Sequence, residues 1–163
     1  MYSRILVTLE HSKADEAILA HVRRLALSCK ASVVLIHVAD GWAARNVNAL
    51  TLRESEEIRG DREYIERCRA DLEQAGLSAE AVLASGNPSE EIVAAAEREG
   101  ADLIAMATHG HRFLNDLVRG TVANEVRHRT FVPVLLVRAG APPAAGPAAP
   151  ACGPPSGPPR RAR

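Results

Sequence analysis

Short, almost uninterrupted apolar runs separated by helix-length amphipathic stretches limit what this chain can fold into more than any other feature. Ile5-Leu6-Val7, Ser32 to Val38, Asp102 to Met106 and Val132 to Val137 are rich in β-branched and aliphatic residues, with a weaker run at Ala79 to Ala84. Runs that are apolar on both faces suit strands covered on both sides, the situation of a parallel sheet between helices. Between the first two runs, Ala14, Ile18, Val22, Leu25, Ala26 and Cys29 recur on one helical face. A longer stretch, Leu52 to Ala75, keeps Ile58, Ile65, Cys68 and Leu72 in a stripe, and its mixed charges read as a solvated face with i,i+4 pairs. Ile92, Val93 and Ala96 mark a third helix, and a fourth is expected from about Thr121 to Arg129. The order β-α-β-α-β-α-β-α-β predicts an α/β fold: a single doubly wound five-stranded parallel sheet with helices on both faces and right-handed crossovers.

Local signals place the element ends. Ser12 stands three residues before Asp15, a capping-box arrangement. Asn87-Pro88-Ser89-Glu90 reads as a helix start, with Asn87 as N-cap, Pro88 at the first helical position and Glu90 reaching back. Gly76 and Gly100 stop helices, whereas Gly60 falls inside one and costs about 1 kcal/mol relative to Ala, so a bend or break is expected there. The Ala79 to Ala84 strand reads as an edge, and Pro133, lacking an N–H, belongs at a strand start or edge. Trp42, in the Trp42 to Asn48 loop, reads as a packing residue or lid rather than a base-stacking platform.

A chain of 163 residues supplies one domain with a real core. Lys plus Arg equals Asp plus Glu at 20 each, and aromatic content is 3%. Nucleic-acid and membrane-surface partners are therefore disfavoured, for want of a basic field and of stacking platforms. Cys29, Cys68 and Cys152 show no CxxC spacing, which argues against a disulfide framework or zinc site and suits a reducing cytoplasm. No signal-peptide pattern opens the chain and no run approaches membrane-spanning length, so a cytoplasmic protein is expected. Residues 1–138 read as the folded domain. Residues 139–163 hold most of the ten prolines and end in Arg160-Arg161-Ala162-Arg163, a composition expected to stay disordered.

One loop stands out. Ala107-Thr108-His109-Gly110 follows a strand, nine residues run from His111 to Arg119, and Gly120-Thr121 leads into a helix. A helix start offers unpaired N–H groups and positive dipole, and glycines let backbone approach a phosphate. On glycine spacing alone the stretch reads first as a connecting loop. His109, His111, Arg112, Asn115, Asp116 and Arg119 are then ordinary solvated residues, or groups that neutralise phosphate and help hold Mg²⁺. His11 with His109 and His111 gives a metal-site reading, without an acidic or Cys partner at firm spacing.

The loop resembles the nucleotide loop of the universal stress protein family, whose pattern is Gly, two residues, Gly, nine residues, Gly, then Ser or Thr. Gly110, Gly120 and Thr121 match, and Ala107 replaces the first glycine. The resemblance extends to Arg4-Ile5-Leu6-Val7, His37-Val38, Gly86-Asn87-Pro88, Ala101 to Ile104 and Val132 to Val137. It implies strand order 3-2-1-4-5, and ligands of such sheets bind outside the strand carboxyl ends where winding reverses. By the same resemblance, Glu10 stands for an Asp near the adenine, with Thr8 and Leu9 before it. Val38 and Met106 match apolar contacts to base and ribose. Gly110, Gly120, Thr121 and Val122 match the loop holding the phosphates of ATP, with Mg²⁺, and Ala107 and His109 stand in the same loop as candidate contacts. The resemblance further implies a homodimer through Val134 to Val137. Glu10 is one methylene longer than Asp, and Ala107 adds a methyl. No Ser-His-Asp, Cys-His or paired-carboxylate set stands out, so at most slow ATPase activity is expected. The competing readings are a nucleotide-free dimeric scaffold and a true ATPase or nucleotidyl-transfer enzyme.

Overall fold

The computed structural model describes residues 1–40, 52–109 and 122–139. Trp42, Gly110, Gly120, Thr121 and the tail from 140 lie outside the described residues. The elements are β1 (Arg4–Leu9), α1 (Ala14–Cys29), β2 (Ser32–Asp40), α2 (Leu52–Gln74), β3 (Ala79–Gly86), α3 (Pro88–Arg98), β4 (Leu103–His109), α4 (Val122–Arg129) and β5 (Val134–Ala139). All five strands are parallel, in the order β3-β2-β1-β4-β5. The chain winds outward from β1 to β3, returns across the sheet to β4, and continues to β5, so the winding reverses between β1 and β4.

Alternation along the strands divides the core into two layers. Ile5, Val7 and Leu9 of β1 face Ile18, Val22 and Ala26 of α1 and Ile65 and Leu72 of α2. Leu6 of β1, Ile36 of β2 and Ile104 of β4 face Ile92 and Ala96 of α3 and Val126 of α4. Every residue of β1 from Ile5 to Leu9 is buried, which accounts for the apolar run Ile5-Leu6-Val7.

Several element ends differ from the sequence reading. β4 continues past Met106 to His109 because β5 carries the ladder on through Ala107↔Val137, Thr108↔Arg138 and His109↔Ala139. Pro133 lies just before β5, where its carbonyl accepts the Ile104 N–H at 2.9 Å. Asn87 caps α3 as expected, its Oδ1 accepting N–H bonds from Ser89 and Glu90. The Glu90 carboxylate does not reach back; it pairs with Arg129 of α4 at 3.0 Å.

α2 runs unbroken through Gly60, contrary to the expected bend. Gly60 does not adopt positive φ, and a Cβ added there would meet nothing within 4 Å. Gly60→Ala is accordingly expected to raise the unfolding free energy by about 1 kcal/mol, read from urea unfolding.

The amino edge of the sheet is fastened by charge. Asp102 accepts the N–H groups of Ser3 at 2.7 Å and Arg4 at 3.0 Å, while the Arg4 guanidinium reaches Glu80 and Glu99 at 3.1 Å each. Partial burial works against ionisation of Asp102, yet the N–H bonds from Arg4 and Ser3 hold its carboxyl below the usual range. Arg98 and Arg4 lower Glu99 in the same way. A carboxyl with a lowered folded pKa adds stability at neutral pH that disappears as pH falls through its folded value. Stability should therefore fall as pH drops below the ordinary values of 4.5 for Glu99 and 3.8 for Asp102. Asp102→Asn should flatten that acid limb in urea titrations at stepped pH.

Candidate functional site

At the carboxyl edge the chain leaves β1 through a tight turn built on one buried carboxylate. Asp15, only 1% exposed, accepts the Glu10 N–H at 3.1 and 3.2 Å, the Ser12 N–H at 3.2 Å and the Tyr64 hydroxyl at 2.8 Å. The capping box is half formed. Asp15 reaches back to Ser12, but the Ser12 hydroxyl accepts the Ala14 N–H instead, and Lys13 is the N-cap residue without a side-chain bond. His11, inside the turn, has left-handed backbone geometry with φ of 56°. Burial and the Asp15 bond push the Tyr64 phenol far up, so it stays a donor to Asp15. Burial likewise pushes the Cys68 thiol up and keeps it a poor nucleophile.

The same turn fixes a second cluster. The His11 ring stacks on Tyr64, centroids 4.1 Å apart at 16°, and its Nδ1 lies 2.8 Å from Asp61 Oδ1. His37, near the end of β2, has Nδ1 2.9 Å from the Leu9 carbonyl, which fixes that nitrogen as the donor, and Nε2 3.4 Å from Asp61 Oδ2. Asp61 of α2 thus ties that helix to the ends of β1 and β2.

Above these ends lies a cleft of about 820 Å³, within the range of small-molecule sites. Ile36, Val38, Ile92, Met106 and Val122 supply apolar lining; Thr8, Glu10, His11, His37 and Asp61 supply polar groups. Among the sequence candidates, Thr8, Leu9, Glu10, Val38, Met106 and Val122 are brought together here. Ala107 is not among the lining residues: it sits within β4 and packs in the α1-side layer with Leu9 and Ala105. His109 ends β4. Gly110, Gly120 and Thr121 lie outside the described residues.

His11, His37, Asp61 and Gly60 also line the cleft and were not singled out as nucleotide contacts from the sequence. His37 carried a signal, since it immediately precedes Val38. Asp61 carried none, because its neighbours are ordinary helix charges. Among the described residues, no three His, Cys, Asp or Glu side chains converge as metal ligands, and no helix is long and apolar enough to cross a membrane.

An open parallel α/β sheet with a part-apolar, part-acidic cleft at its winding reversal defines the class of small-ligand-binding doubly wound proteins. The universal stress protein family model matches residues 1–138, and the chain belongs to that family. It is 31% identical over 158 residues to universal stress protein MJ0577 of Methanocaldococcus jannaschii, covering 85% of this chain and 96% of the relative. The solved structure of MJ0577 superposes with a TM-score of 0.75 at 29% identity, over 87% of this chain and 99% of that one. Two further structures share the fold. A universal stress protein from Archaeoglobus fulgidus in complex with dAMP has a TM-score of 0.62 at 21% identity, covering 83% of this chain and 98% of that one. A universal stress protein in complex with cAMP has a TM-score of 0.66 at 18% identity, covering 85% and 98%.

Proposed function

We propose that this chain is an ATP-binding regulatory protein of the stress response, working in the cytoplasm as a nucleotide-sensing homodimer with at most slow hydrolysis. The observation that carries this reading is the cleft itself. It lies at the reversal point of the sheet, has room for a nucleotide, and sets an apolar face beside a group of hydrogen-bond acceptors. Val38 and Met106 pack on the base and ribose, and Thr8, Leu9 and Glu10 border the adenine end. The phosphates, with Mg²⁺, are assigned to the stretch that holds Ala107, His109, Gly110, Gly120, Thr121 and Val122, of which Val122 lines the cleft. Adenine nucleotides in two structures of the same fold support the ligand class.

β5 supplies the dimer contact. It is an edge strand of the sheet, with Leu136 40% exposed and Val134 and Val137 half-buried, and a second copy would cover it.

The alternative, a nucleotide-free scaffold of the same fold, draws on Ala107 and Glu10. The Ala107 methyl packs into the α1-side layer rather than lining the cleft, which weakens the steric part of that case. Chromatography of the supernatant from heat-denatured purified protein separates the readings: stoichiometric adenine nucleotide supports binding, and its absence together with no response to added MgATP supports the scaffold.

A further inference from the structure

The nucleotide reading leaves one group of the cleft without a role: Asp61, carried by α2 rather than by a strand end or the glycine loop. Its carboxylate is 19% exposed and can only accept hydrogen bonds. One oxygen takes the short contact from His11 at 2.8 Å, while among the described residues the other has His37 Nε2 at 3.4 Å. A carboxylate offers about four lone-pair positions, so the His11 contact holds the group in place and leaves acceptor capacity towards the cleft.

The residue before it fits the same purpose. Gly60 also lines the cleft, inside an unbroken helix, with no positive φ to require glycine and nothing within 4 Å of where a Cβ would stand. Ordinary helix chemistry favours a larger residue at such a position. Glycine there keeps the helix surface that lines the cleft free of a side chain.

Charge then decides which part of a nucleotide comes here. Glu10 and Asp61 place two carboxylates at this end, which repel phosphate. Val122, the first residue of α4, also lines the cleft, and a helix N-terminus attracts phosphate. The end beside α2 therefore receives N–H or O–H donors of the nucleoside.

We propose that Asp61 is a specificity-determining residue, accepting a hydrogen bond from the exocyclic amine of the base or from the ribose hydroxyls, with His11 as its positioning residue. This rests on the nucleotide reading of the cleft. Loss of one charge-assisted hydrogen bond in a closed site changes affinity roughly tenfold. Calorimetric titrations with MgATP, MgITP and Mg-2′,3′-dideoxyATP on the wild type and Asp61→Asn test it, with thermal melts of both proteins alongside. ITP lacks the amine, and the dideoxy analogue lacks both hydroxyls.

The wild type should prefer ATP over one of the two analogues by roughly tenfold, and Asp61→Asn should erase most of that preference. Erasure against ITP assigns the amine; erasure against dideoxyATP assigns the ribose. Equal weakening of all three ligands, leaving the ratios unchanged, would overturn the proposal while leaving the nucleotide reading intact. No binding of any ligand by the wild type would overturn both. Should Asp61→Asn fail to fold, Asp61→Glu keeps the charge, displaces the carboxylate by a methylene and must shift the same ratio.

Discussion

Asp15→Ala is expected to destabilise the protein by about 3 kcal/mol, the largest loss foreseen for a single polar residue in this fold. Asp15 is 1% exposed and takes bonds from two backbone N–H groups and the Tyr64 hydroxyl. Alanine leaves those donors behind, two at the turn that ends β1 and one on α2. Each buried unpaired donor costs about 1–3 kcal/mol, and some of that is recovered by water near Glu10, which is exposed. Asp15→Asn keeps one acceptor oxygen and is expected to lose about half as much. Tyr64→Phe removes only one donor and is expected to cost about 1 kcal/mol. Urea unfolding of the three variants checks the order, and an Asp15→Ala protein within 1 kcal/mol of wild type would mean that the turn holds itself.

Val38→Asp is expected to weaken ATP binding by about 100-fold or more. Val38 is half-buried near the end of β2, paired in register with Ala84, and forms part of the apolar lining of the cleft. A carboxylate there would face the base with no partner. An uncompensated charge against an apolar surface costs about 3 kcal/mol or more, and each 1.4 kcal/mol is a factor of ten. Because the position is only half-buried, the fold itself should lose about 1–2 kcal/mol, which a thermal melt separates from the binding defect. Wild-type affinity in a folded Val38→Asp protein would place the ligand elsewhere.

The sheet was legible in the sequence because burial on both faces writes itself as continuous apolar runs, as in Ile5-Leu6-Val7. Strand order came through resemblance rather than periodicity, since nothing local encodes which strand lies beside which. The ends of β4 and β5 were less legible. Thr108 and His109 are polar, and they are strand residues only because the β5 backbone pairs with them. Residues at the ends of β1, β2 and β4 could be placed beside the cleft once the resemblance supplied the strand order. Asp61 could not: its partner His11 is 50 residues away, and within α2 it looks like any solvated helix charge. Asp15 was legible as half of a cap, whereas its tie to Tyr64 is 49 residues long and has no local signature. Glu90 shows the reverse error, a locally sensible cap contact given up for Arg129 on a neighbouring helix.

The proposed adenine-nucleotide site is the cleft above β1, β2 and β4. Calorimetric titration of nucleotide-free protein with MgATP tests it most directly. Saturable binding at one nucleotide per chain, lost in a folded Val38→Asp variant, is the expected result. No saturable heat up to millimolar MgATP, with no thermal stabilisation by the nucleotide, would contradict it.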